Sequence, residues 1–232
     1  MRFETAVQEV ISRAYDVKSF RFPRPEGFTY EAGQFIMVTI RSGDNKLTKP
    51  LSISSSPTEK DHIEFTKKLT GHEFSNVLEA LGIGGWAEIN GPYGTFTLEG
   101  ESDRLCMLSG GVGITPLRSI CKYCTDTKSD VNIVLIFGNR SETNIVFGED
   151  FEQMQGQNRN LRVILTLDEP SEDWRGETGI IDTDMIKMNV PDYFDRKFYI
   201  CGPPGMVQAI ASLLKSLNLP TNQIKIENFA GY

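Results

Sequence analysis

The residues whose types and spacing best suit chemistry are the run Ser109-Gly-Gly-Val-Gly-Ile-Thr-Pro116. Gly110, Gly111 and Gly113 permit positive φ and let backbone N–H groups come close to an anion. An apolar run, residues 105–108, leads into them and a helical pattern follows Ile114, so the spacing predicts a strand-to-helix turn. Thr115 is expected to cap that helix and Pro116 to take its first position, where a missing N–H costs nothing. Such a turn aims N–H groups and the positive end of a helix dipole at a pyrophosphate, each charge effect contributing about 0.3–1 kcal/mol. The match to Gly-x-Gly-x-x-Gly is incomplete, because Pro116 stands where the third glycine belongs. A glycine turn with no ligand is the plain alternative.

Other chemistries find less support. Cys121 and Cys124 form a Cys-x-x-Cys pair inside a helical pattern, which puts both thiols on one face. Cys106 and Cys201 lie in apolar strand-like runs. A zinc or iron–sulfur site needs about four ligands; with His62 and His72 the only histidines, no metal site is expected. No Ser/His/Asp arrangement competes either.

The elements that must position the glycine turn follow from hydrophobic periodicity. Residues 3–99 show short alternating runs, among them Thr5/Val7/Glu9/Ile11, Lys18/Phe20/Phe22, 34–40, 62–69 and 86–89, separated by turn-formers such as Pro23, Gly33 and Gly91-Pro92. Many short strands at this spacing predict an antiparallel barrel or sandwich. One helix interrupts them, with Phe74, Val77, Leu78 and Leu81 at i, i+3, i+4, i+7. From residue 104 the period changes. Runs at 105–109, 131–137, 161–167, 197–201 and 223–229 alternate with helical patterns, the clearest carrying Met206, Ile210, Leu213, Leu214 and Leu217. That alternation predicts a parallel sheet with helices on both faces. Two domains are therefore expected, a β domain over 1–100 and an α/β domain over 101–232, parted near residues 98–103.

Bulk properties agree. A 232-residue chain suits two cores of roughly 100 residues, and 39% hydrophobic with 24% charged residues is an ordinary globular mix. The net charge of −7 argues against nucleic acid. No apolar run approaches the roughly 20 residues of a membrane span, and the charged N-terminal residues do not read as a signal peptide. The expected compartment is the cytoplasm.

Three further motifs extend the glycine turn. Lys49-Pro-Leu-Ser-Ile-Ser-Ser55 lies among the β-like runs, Gly71-His-Glu-Phe-Ser75 opens the only helix of the first half, and Cys201-Gly-Pro-Pro-Gly-Met206 follows the fourth strand of the second. In order and spacing, from Gly33-Gln-Phe35 to Glu227-Asn-Phe229, the chain resembles the ferredoxin–NADP reductase family of flavoproteins. The resemblance implies an N-terminal barrel that binds FAD and a C-terminal domain that binds NAD(P)H, with hydride passing from nicotinamide to flavin. Where the family has Arg-x-Tyr-Ser, this chain has Lys49, Leu51 and Ser52. Lys49 keeps the charge without the bidentate fork, and Leu51 offers an apolar face without a stacking ring. On the flavin side the resemblance points to Lys49, Pro50, Leu51, Ser52, Ile53, Ser54, Thr66, Lys67, Gly71, Phe74 and Ser75. On the nicotinamide side it points to Gly110, Gly111, Gly113, Ile114, Thr115, Pro116, Asn139, Arg140, Asp168, Cys201, Gly202, Pro203 and Met206. Ser52, Cys201 and Glu227 are expected to shape the site of hydride transfer. Phe229 belongs with Glu227 in a family pattern after the last strand, and Tyr232 is expected to shield the flavin face.

The stretch Thr166-Leu-Asp-Glu-Pro170 carries two carboxylates where NADPH-specific relatives place Ser and Arg. Asp168 and Glu169 would repel a 2′-phosphate, which favours NADH, whereas Arg140, Arg162 and Arg175 argue the other way. The acceptor stays open: a separate redox protein such as a ferredoxin, or a diffusible acceptor such as free flavin; the chain could instead be an electron-transfer subunit of a larger complex, or a nucleotide-binding module whose altered flavin motif has lost redox activity.

Overall fold

The computed structural model describes residues 1–98 and 103–229. The first half holds seven strands: β1 (Arg2–Ala6), β2 (Glu9–Ala14), β3 (Val17–Pro23), β4 (Phe35–Ser42), β5 (Asn45–Ser52), β6 (His62–Lys68) and β7 (Trp86–Tyr93), with α1 (Glu73–Ala80) before the last. They form two antiparallel sheets, ordered β1-β7-β4-β5 and β2-β3-β6, linked by a bridge between Ile53 and Phe65. Side chains alternate along each strand, so Ile36, Val38 and Ile40 of β4 all point inward onto Phe20, Phe22 and Phe65. Phe65 stacks on Phe20 and Phe22 at centroid distances of 5.4 and 5.6 Å, contacts worth about 0.5–1.5 kcal/mol each beyond area burial. The result is the expected antiparallel barrel.

One expectation fails in detail. The alternation through Thr5, Val7, Glu9 and Ile11 is not one strand: the chain leaves its first sheet at Val7 and enters the other at Glu9. Val7 is buried, and its N–H donates to Gly85 rather than to a ladder partner.

The second half is a six-stranded parallel sheet of β8 (Arg104–Gly110), β9 (Asn132–Asn139), β10 (Leu161–Leu167), β11 (Glu177–Thr178), β12 (Lys197–Gly202) and β13 (Ile224–Asn228), in the order β11-β10-β9-β8-β12-β13. Helices α2 (Ile114–Asp126) and α3 (Gly148–Gln157) bury Leu117, Ile120, Phe151 and Met154 on one face. Helices α4 (Thr183–Asn189) and α5 (Pro204–Ser216) bury Ile186, Ile210 and Leu214 on the other. Cys121 and Cys124 are core residues of α2 and Cys106 packs on the opposite face of the sheet, so the four thiols do not converge. The strand order reverses beside β8, so the carboxyl ends of β8 and β12 open onto a crevice at that switch point.

The two halves are packed together. Val17, Ala32 and Phe96 of the first join the α2-side core of the second. The Tyr199 hydroxyl donates to the carbonyl of Thr97 at 2.8 Å. The expected boundary falls partly at residues 99–102, outside the described residues. No helix among the described residues is long and apolar enough to cross a membrane.

Candidate functional site

β8 delivers the chain to Gly110, a 3₁₀ turn spans Gly111–Gly113, and α2 begins at Ile114. Each glycine answers a different need. Gly111 has φ +53 and open space where a Cβ would stand. Gly113 lies so close to β12 that a Cβ would overlap the backbone of Cys201 and Gly202, and Cβ atoms at Gly110 or Gly202 would run into the Met206 side chain. The turn is therefore a bare backbone cradle at the ends of two strands. Thr115 does not cap the helix: its start carries no side-chain cap, because the preceding 3₁₀ turn already makes helical bonds. Pro116 is the third helical residue rather than the first, still within the turn whose N–H groups lack intrahelical partners.

Among the described residues, two polar side chains at this end of the sheet lack partners. The Thr115 hydroxyl is buried and unbonded, as are both amide atoms of Asn139 at the end of β9. A buried polar group left unpaired costs about 1–3 kcal/mol, so both positions suit a ligand that completes them. Asn139 lines a cavity of about 480 Å³ together with Gly111, Val112 and Arg140, and with Lys68 and Asp16 of the barrel, which pair at 3.1 Å. The glycine cradle and the open Asn139 amide fit a dinucleotide.

Beyond Asn139 the ends of β9 and β10 are tied together. The N–H of Asp168 donates to the Asn139 carbonyl at 3.1 Å and that of Glu169 to the Arg140 carbonyl at 2.7 Å. Arg140 Nε donates to Glu169 Oε2 at 3.0 Å on the surface. The other two arginines are engaged elsewhere. Arg162 donates to Asn189 Oδ1 at 2.8 Å, and Arg175 to the carbonyls of Glu172 and Trp174.

On the barrel side, β5 carries Lys49 and Pro50 exposed and Leu51 and Ser52 buried. Ile53 and Ser54 are turned inward. Ile53 belongs to the barrel core, and Ser54 Oγ donates to Glu64 Oε1 at 2.9 Å. Burial alone would raise the Glu64 carboxyl, but the Arg13, Arg118 and Arg21 guanidiniums outweigh it and hold it below the usual range. The Thr66 hydroxyl is likewise engaged, with Ser19 at 2.6 Å and Ser54 at 3.0 Å. Lys67 is 6% exposed, and burial followed by the nearby Lys49 ammonium presses its pKa down.

Lys49 and Lys67 line two adjoining cavities. One, about 450 Å³, also touches Thr70, His72, Phe74 and Ser75 at the start of α1. Ser75 Oγ shares a hydrogen bond with Thr70 Oγ1 at 3.2 Å. Gly71 takes φ +74 with nothing near a prospective Cβ. The other, about 200 Å³, holds Phe35, Leu51 and Ser52 of the barrel together with Thr115, Glu227 and Phe229 of the α/β half. Their combined size is in the range of cofactor sites. The two ammoniums between them suit the pyrophosphate of a second dinucleotide, whose ring would then lie between the halves.

The register β12–β13 sets Glu227 beside Cys201, and β8–β12 sets Cys201 beside Ser109. Burial raises the Glu227 carboxyl at the cavity wall. Cys201 is fully buried in the α2-side core and does not line the cavity; burial, with Glu227 adding to it, pushes its thiol far up. Gly202 accepts from the N–H of Phe229 at 3.3 Å, and Pro203 is exposed at the start of α5. Tyr232 lies outside the described residues. Phe35 also lines the cavity, although no sequence motif marks it as a site residue. It is paired with Ser52 across β4–β5 and backed by Tyr93 at 5.8 Å, a placement carried by strand register rather than by any local pattern.

Comparison with known proteins matches residues 3–98 to the oxidoreductase FAD-binding domain family and residues 107–212 to the oxidoreductase NAD-binding domain family. The chain is 31% identical to the glycine betaine monooxygenase reductase subunit of Chromohalobacter salexigens, over 95% of this chain and 62% of that protein. It is 28% identical to a component of the Na(+)-translocating NADH-quinone reductase of Serratia proteamaculans, over 96% of this chain and 59% of that protein. The chain thus spans about 60% of the length of these relatives. Among solved structures, a ferredoxin NADP+ reductase from Neisseria gonorrhoeae with bound FAD and NADP superposes with a TM-score of 0.85 at 20% identity, covering 98% of both chains. With an FAD-binding barrel and an NAD-binding parallel sheet meeting at one cavity, the chain belongs to the oxidoreductases that join these two domain families, and it has the fold of the ferredoxin–NADP reductases.

Proposed function

We propose that this chain is an NADH-dependent flavoprotein reductase module that hands electrons to a one-electron redox centre outside these 232 residues. The observation that carries it is the cavity to which both halves contribute, Leu51, Ser52 and Lys67 from one side and Thr115, Glu227 and Phe229 from the other. Bound FAD would supply the redox chemistry, accepting a hydride as NADH becomes NAD+ and releasing the two electrons singly.

The protein's own part is placement. The glycine cradle and α2 start would hold one pyrophosphate, and Lys49, Lys67 and the start of α1 the other. Phe35, Leu51 and Phe229 give the cavity apolar walls that exclude water. Ser52 and Thr115 offer hydroxyls, and Glu227, with its raised pKa, can keep a proton on its carboxyl nearer to neutral pH than an exposed glutamate. Asp168 and Glu169 favour NADH over NADPH, because Arg162 and Arg175 are bonded elsewhere and Arg140 is paired with Glu169. Electron transfer to a separate partner is supported by two relatives that are themselves named as parts of larger reductase or monooxygenase systems.

The test is steady-state NADH oxidation by the FAD-loaded protein with an iron–sulfur ferredoxin, with free FMN, and with no acceptor. Fast ferredoxin reduction is expected. Fast turnover with free FMN and none with ferredoxin would contradict a one-electron protein acceptor.

A further inference from the structure

One face of α2 runs beside the chain that leaves the flavin motif. Thr115 shares the cavity with Ser52. One turn on, Arg118 Nη1 donates to the Ser54 carbonyl at 3.1 Å and Ser119 Oγ to the Ser55 carbonyl at 2.6 Å. Two turns later, Asp126 Oδ2 accepts from Thr58 Oγ1 at 2.5 Å. Positions 118, 119 and 126 recur at helical spacing, and their partners 54, 55 and 58 follow in the same order. The helix that begins at the glycine cradle is thereby zipped to the segment that ends the flavin motif.

Arg118 is the central tooth. Its side chain is 5% exposed. Nε and Nη2 donate to Asp150 Oδ2 at 3.0 and 2.7 Å, and Nη1 and Nη2 donate to Glu59 Oε2 and Oε1 at 2.5 and 3.3 Å. With the Ser54 carbonyl, all five guanidinium N–H groups have acceptors. Asp150 lies on α3, whereas Glu59 and Ser54 belong to the barrel half. Burying such a group of charges adds little net stability, since desolvation offsets the attraction. A planar fork with every donor used does fix geometry, which a lysine could not reproduce.

We infer that Arg118, assisted by Ser119, is a positioning residue for hydride transfer, setting the distance between the flavin motif and the helix that holds the nicotinamide dinucleotide. The inference rests on the proposed reductase activity. Arg118 is not among the residues lining the cavity and acts through the backbone of Ser54 and Ser55. Donor and acceptor atoms must sit about 3–3.5 Å apart, and a displacement of about 1 Å can cost on the order of 100-fold in rate.

The experiment is anaerobic stopped-flow reduction of the FAD-loaded protein by NADH and by NADH deuterated at the transferred position, for wild type, Arg118→Met, Arg118→Lys and Ser119→Ala. In Arg118→Met the flavin content and spectrum should match wild type, and half-saturation by NADH should stay within about threefold. The reduction rate should fall about 30- to 100-fold with a larger isotope effect. Arg118→Lys should recover part of the rate. A wild-type rate in Arg118→Met, or a loss that follows flavin content or NADH binding, would overturn the positioning role. Should Arg118→Met fail to fold, Ser119→Ala and Glu59→Gln carry the test, and wild-type rates in both overturn it. A wild-type protein that NADH does not bleach fails the reductase reading itself, and the positioning role falls with it.

Discussion

Around residues 110–113 the chain offers a ligand almost nothing but backbone, whereas around Lys49 and Lys67 it offers charged side chains on two neighbouring strands. The first site is built by close approach: Gly113 sits against the end of β12, with Met206 packed over Gly110 and Gly202. The second presents two ammoniums, one exposed and one buried, beside the start of a short helix. A site of the first kind should respond to substitution almost all or none. A site of the second kind should respond in graded, salt-dependent steps.

The largest effect is expected where backbone meets backbone. Gly113→Ala should lower kcat/KM for NADH by about 100-fold or more while leaving bound FAD in place, and should cost about 1–3 kcal/mol of stability by overpacking. Gly110→Ala meets only the flexible end of Met206, so its loss should be several-fold smaller and partly restored by Met206→Ala. Equal losses in the two variants, measured by steady-state kinetics and denaturant melts, would break the contrast.

The flavin side should yield less per substitution. Lys67→Met and Lys49→Met should each raise the FAD dissociation constant by about 10-fold, since a hydrogen bond to a charged group contributes about 1.5–3 kcal/mol. The double variant should also lose much of the salt dependence of FAD binding. Fluorescence titration at two ionic strengths reads both, and salt-independent binding in the wild type would remove the lysines from the account.

A smaller change is expected in nucleotide choice. Asp168→Ser with Glu169→Ser should shift the kcat/KM ratio toward NADPH by about fivefold, a screened fraction of the repulsion between a carboxylate and a phosphate. An unchanged ratio would mean that the ends of β9 and β10 do not face the adenosine ribose.

The smallest effect concerns Glu227. Burial raises its pKa in the folded protein, so its contribution to stability is fully present below the ordinary carboxylate range and is lost as pH rises through the raised value. Glu227→Gln should therefore melt slightly higher than wild type near neutral pH, with the difference vanishing in acid. Melting curves across pH would contradict this if the variant were the less stable at neutral pH.

The same contrast decided what the sequence could reveal. The α/β half was legible because its strands are continuous apolar runs and its turn is written in glycines. Predicted and observed β10 coincide at 161–167, β8 is longer than expected by one residue at each end, and β12 by one residue at its carboxyl end. The barrel was legible as a class but not strand by strand. β5 reads Asn-Lys-Leu-Thr-Lys-Pro-Leu-Ser, with little apolar alternation and a proline, which an edge strand tolerates. The break at Val7 was invisible because alternation continues across it while the chain changes sheets. Thr115 was misread as a cap because the 3₁₀ turn that starts the helix early has no side-chain signature. Arg118 left no signal, since its partners Glu59 and Asp150 are 59 and 32 residues away.

On the proposed function, one cavity brings together two dinucleotides, one held by each half. Anaerobic titration of the purified, FAD-loaded protein with NADH tests it most directly. The visible flavin absorbance should bleach fully with one NADH per flavin, and the Gly113→Ala protein, equally yellow, should bleach about 100-fold more slowly after each addition. A wild-type flavin left unbleached by excess NADH, or a Gly113→Ala protein that bleaches as readily, would contradict it.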